Sequence, residues 1–158
     1  MRTARLLFLA AALAAVVALP GMASADPGGG KVLDDQLTGL PSDMTGQTLF
    51  GVTAGGIAWR LDSGSARLFA DGRLQVSVHG LVLAAGGAEG TNPIPNAQAI
   101  VTCAGVPAAS SSVVPYSADG DAQINETVSL PDHCLAPAVF FAGVPAPGVA
   151  RWFAVSGW

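Results

Sequence analysis

Ser65-Ala66-Arg67-Leu68-Phe69-Ala70-Asp71-Gly72-Arg73-Leu74-Gln75-Val76-Ser77-Val78-His79 is the stretch that decides the fold. Leu74, Val76 and Val78, continued by Val82, alternate with Arg73, Gln75, Ser77 and His79. Successive side chains of a strand point to opposite faces, so this is the pattern of a strand with one face buried. Asp71-Gly72 between the two halves is the strongest two-residue hairpin signal, because both central positions of the tight turn require φ above zero.

The same period recurs downstream. Ala97, Ala99, Val101 and Cys103 alternate with Gln98, Ile100 and Thr102. Ala122, Ile124, Val128 and Leu130 alternate with Gln123, Asn125, Thr127 and Ser129, and Glu126 on the apolar side puts that strand near an edge. Residues 111–117 form a shorter strand that Pro115 confines to an edge, joined to the previous run by Ala118-Asp119-Gly120-Asp121. Residues 138–142 and 149–155 form a last hairpin across Pro145-Ala146-Pro147-Gly148. After residue 25 no stretch holds a helical period over ten residues without Gly or Pro. The expectation is an all-β domain over residues 57–158: an antiparallel, immunoglobulin-like β-sandwich of about seven strands with one disulfide, a small closed barrel being the alternative.

Upstream of this domain the composition changes twice. Residues 1–25 read as a signal peptide: Arg2 and Arg5, an apolar run from Leu6 to Leu19, the helix-breaking Pro20-Gly21, then Ala23-Ser24-Ala25 as an A-x-A cleavage site before Asp26. Residues 26–56 are rich in Gly, Asp, Thr and Ser. They are expected to form a flexible arm, with Thr48-Leu49-Phe50-Gly51-Val52 a short strand docking at an edge. Removal of the leader leaves five Lys and Arg against eleven Asp and Glu, a net charge of −6. Such thin acidic charge offers no basic stripe to a phosphate backbone, and no later segment is long and apolar enough to span a bilayer. The expected setting is extracellular, with no nucleic-acid partner and no membrane span once the leader is removed.

Only a few residues could carry chemistry. The two cysteines of an exported chain permit one pairing, Cys103 with Cys134. Two sulfurs fall short of a closed zinc site, and neither a metal nor a cofactor is expected. His79 lies on the polar face of its strand and His133 abuts Cys134 in a Pro-Asp turn; neither belongs to a catalytic motif. Asp119, Asp121 and Asn125 offer oxygen ligands for calcium, although a tight hairpin turn accounts for Asp and Gly there equally well. Trp152 and Trp158, evenly spaced, would share a strand face as a stacking surface for a ligand. Asn125-Glu126-Thr127 matches the glycosylation sequon.

Ala, Gly, Pro and Arg have GC-rich codons, and Arg outnumbers Lys six to one. With the leader, and with Ser63-Gly64-Ser65-Ala66-Arg67-Leu68-Phe69-Ala70-Asp71-Gly72-Arg73-Leu74, Val128-Ser129-Leu130-Pro131-Asp132-His133-Cys134-Leu135-Ala136-Pro137 and Arg151-Trp152-Phe153-Ala154-Val155, the chain resembles the short exported proteins of actinobacteria. No activity attaches to that resemblance. In composition it is also similar to the chromoprotein apoproteins of actinomycetes, which hold apolar small molecules in a sandwich cleft and carry two disulfides where this chain has cysteines for one. The leading expectation is a non-enzymatic structural or binding module whose partner is an extracellular protein, a glycan or a small molecule. A carrier of an apolar small molecule is one alternative. A small secreted hydrolase using His133, Asp132 and a nearby Ser is another.

Overall fold

Period-two alternation builds two antiparallel sheets. The computed structural model describes residues 29–156, so the 1–25 leader and Trp158 lie outside the described residues. In chain order the strands are β1 (Lys31–Gln36), β2 (Thr38–Gly39), β3 (Thr48–Leu49), β4 (Val52–Thr53), β5 (Trp59–Arg60), β6 (Ser63–Phe69) and β7 (Arg73–His79). They continue as β8 (Val82–Leu83), β9 (Asn96–Cys103), β10 (Val106–Ser110), β11 (Val114–Pro115), β12 (Ala122–Thr127), β13 (Ala138–Ala146) and β14 (Val149–Val155). The first sheet runs β1-β6-β7-β12; the second runs β10-β9-β13-β14-β2, with β11 also on β9. Two small ribbons, β3-β4 and β5-β8, complete the fold. Among the described residues no helix is long and apolar enough to cross a membrane.

The hairpin forms at Asp71-Gly72 and pairs Leu68 with Leu74, but its loop is residues 70–72 in place of the expected two-residue turn, and of Asp71 and Gly72 only the glycine has positive φ. Gly72 has φ of 86°, and a Cβ there would stand 2.1 Å from the Val128 carbonyl oxygen, so conformation and space both demand glycine. Ala66, Leu68, Leu74, Val76, Val78 and Ile124 are buried on the inner face of the first sheet, as their alternation requires. Glu126 lies on edge strand β12, where its carboxylate accepts the Ser112 N–H at 2.7 Å. The result is a two-sheet antiparallel sandwich. Its disulfide joins the end of β9 to the connection between β12 and β13, with Cα atoms 4.9 Å apart. Immunoglobulin domains instead place theirs between facing strands of the two sheets.

Three expectations need correction. First, the 26–56 stretch is not a free arm from Lys31 onward: β1 pairs with β6, and Leu33, Leu37 and Leu40 are buried. Hydrogen bonds from Lys31 and then Arg67 hold the Asp34 carboxyl below the usual carboxylate range. That depressed value means the Asp34–Arg67 ion pair, which adds to the β1–β6 ladder, is present at neutral pH and is lost as pH falls through it. Second, Ile100 and Thr102 on β9 are buried although they lie on the supposedly solvated face. The second sheet is covered on both sides, because the segment running through β3 and β4 crosses its outer face. Phe50 there meets Phe140 edge-on at 6.4 Å, and Ala54 bridges to Trp152. Third, the same crossing encloses Trp152 completely. Its indole N–H is left without a hydrogen-bond partner, and it offers no stacking surface. About seven strands were expected; the higher number reflects ladders only two residues long, which leave no periodic signature.

Candidate functional site

Trp59 and Phe153 come from opposite ends of the domain and stack at 3.9 Å between centroids, with 13° between ring planes. Trp59 is set by β5, whose register with β8 places it opposite Leu83, and its N–H donates to the Leu40 carbonyl at 2.9 Å. Phe153 is set by β14. The neighbouring strand β13 passes so close that a Cβ on Gly143 would stand 2.0 Å from the Phe153 ring, so only glycine leaves the ring its place. Tyr116 extends the aromatic row to Phe141 and anchors it by donating its hydroxyl to the Leu81 carbonyl. Burial first, and then the Asp121 charge, push the Tyr116 phenol above its ordinary range, which keeps it a neutral donor.

Beside this stack lies a cleft of about 220 Å³ walled by Ile57, Leu83, Ile94 and the two rings, with Arg151 the only charged side chain in its lining. Gly56 stands at its edge, and a Cβ there would have open space. The Ile94 wall is held by Asn92, a buried side chain whose amide donates to the carbonyls of Ile94 at 2.7 Å and Ser117 at 2.8 Å. Its oxygen accepts the Ile94 N–H at 2.8 Å. Replacing Asn92 by Ala leaves buried backbone groups unsatisfied, so a loss of about 2–3 kcal/mol in urea unfolding is expected.

Elsewhere the structure separates what the sequence grouped. Asp121 precedes β12 and Asn125 lies within it, so about 13 Å of extended chain divides two of the three calcium candidates. Asp121 is engaged instead with the Gly80 N–H at 3.0 Å, and Asp119 is an exposed turn residue. Among the described residues no group of three His, Cys, Asp or Glu could hold a metal. His133 and Asp132 line a separate hollow of about 230 Å³ beside Cys134, and no serine is in its lining.

A different grouping, which the sequence reading missed, brings Ser77 Oγ within 3.2 Å of His79 Nε2 and His79 Nδ1 within 3.5 Å of Asp121. The order of groups is that of a nucleophile, base and orienter. The surroundings differ. His79 and Asp121 are both 54% exposed, so water screens their interaction. Strand β7 lies between β6 and β12, which commits its backbone N–H groups to the ladders and leaves Ser77 without adjacent oxyanion donors. This array ties the start of β12 to the end of β7. No protein-family model, curated protein or solved structure matches this chain, so the use of the site rests on its geometry alone.

Proposed function

We propose that the chain is an exported, non-enzymatic binding module that takes a small apolar ligand in the Trp59–Phe153 cleft. The observation that carries this reading is an open apolar hollow, about 220 Å³, beside a stacked aromatic pair. Ligand sites are concave and mostly apolar with a few placed polar groups, and this cleft has that character. An apolar hollow of about 150 Å³ already accepts benzene, so the volume is adequate for a small ring compound.

The test uses the neutral fluorescent two-ring probe 2-methoxynaphthalene. Saturable binding is expected for the wild-type chain. Gly56→Leu should abolish it by filling the cleft mouth while leaving the circular dichroism spectrum unchanged. A chain with both His79→Gln and His133→Gln should bind the probe as the wild type does, since shape and apolar contact need no proton transfer. Absence of saturable binding, or binding that Gly56→Leu leaves intact, contradicts the proposal.

A further inference from the structure

We infer that the ligand of this cleft is an anion, a one- or two-ring aromatic carboxylate whose charged group is received by Arg151; the inference rests on the cleft reading above. Among the described residues, four of the five Lys and Arg side chains stand against carboxylates. Lys31 and Arg67 share Asp34, Arg60 faces Asp62 and Arg73 faces Asp71. Arg151 has no such partner among the described residues. Its Nη1 donates to the Ala150 carbonyl at 2.9 Å, which uses one of five N–H donors and leaves the positive charge uncompensated. Among the described residues, the cation without a carboxylate partner is the one whose stem lines the apolar cleft, with its guanidinium at the rim.

The chemistry of the two parts specifies the ligand. A guanidinium presents a planar fork that matches a carboxylate with two parallel hydrogen bonds. The Trp59 and Phe153 rings, buried and stacked on each other, leave little ring face open, so they favour a flat aromatic body met edge-on.

Calorimetric titration of the full-length chain with 2-naphthoate and its neutral analogue 2-naphthamide tests this. The carboxylate is expected to bind about tenfold more tightly than the amide, the range of one charge-assisted hydrogen bond. Arg151→Gln should bring the carboxylate down to the level of the amide and leave the amide unaffected. Equal affinity of the two compounds in the wild type, a preference that survives Arg151→Gln, or tighter binding of octanoate than of 2-naphthoate overturns the inference while leaving the cleft reading in place. Failure of both naphthalene compounds to bind saturably, or their binding equally well to Gly56→Leu, overturns both.

Discussion

Cys103→Ser is expected to lower the unfolding free energy by about 2–5 kcal/mol, the usual loss for a native disulfide in a small domain. The bond closes a loop of 31 residues, for which the chain-entropy argument gives roughly 3–4 kcal/mol. Ala104 and Ala136, each next to or near a bonded cysteine, have φ of 51° and 44°, a region that costs a non-glycine residue about 1–3 kcal/mol and persists only where its surroundings enforce it, so relaxation there offsets part of the loss. The other ties of this segment to β9 are few, chiefly the Ala104 N–H to the Leu135 carbonyl. Cys134→Ser should match Cys103→Ser, and the wild type in reductant should match both, because all three lose the same bond. Urea denaturation monitored by tryptophan fluorescence reads the result; an unchanged midpoint in either variant would contradict it.

Phe153→Ala is expected to cost about 3–5 kcal/mol and to abolish probe binding. The ring is 4% exposed, stacked on Trp59 and fitted against Gly143, so its removal leaves a cavity that the two sheets cannot close. The stability loss and the binding loss have separate readouts. A midpoint within about 1 kcal/mol of wild type would show that the stack is not part of the core.

What the sequence conveyed follows from burial on one face. Strands β6, β7 and β12 have a buried and a solvated side, so hydrophobicity alternates, and the turns between them require Gly and Asp. β9 and β13 are covered on both sides, which removes the alternation: Ile100 and Thr102 read as outward-facing and are enclosed. The covering segment was itself illegible. Leu33, Leu37 and Leu40 are spaced at i, i+4 and i+7, a helical interval that points away from the strands this stretch forms, and they sit among Asp, Thr and Gly.

Trp152 illustrates the same difficulty. Even spacing with Trp158 suggested a shared face, but the side on which that face lies depends on a chain crossing about a hundred residues away in sequence. The cleft left no local mark either, since Ile57, Leu83, Ile94 and Phe153 come from separate segments. The available signal was Arg151, a lone charge in the otherwise apolar strand β14. Read beside Phe153, it marks a strand end that must reach solvent. The disulfide, by contrast, needed no structural context, because two cysteines allow only one partner each.

The most direct test of the account is an amide and indole nitrogen-proton correlation NMR titration of the chain with 2-methoxynaphthalene. The cleft reading predicts saturable shifts at Gly55, Gly56, Leu83 and the Trp59 indole, with the Trp152 indole unmoved. Shifts confined to the exposed apolar residues Phe50, Val106 and Leu135, or no saturable shifts at all, would contradict it.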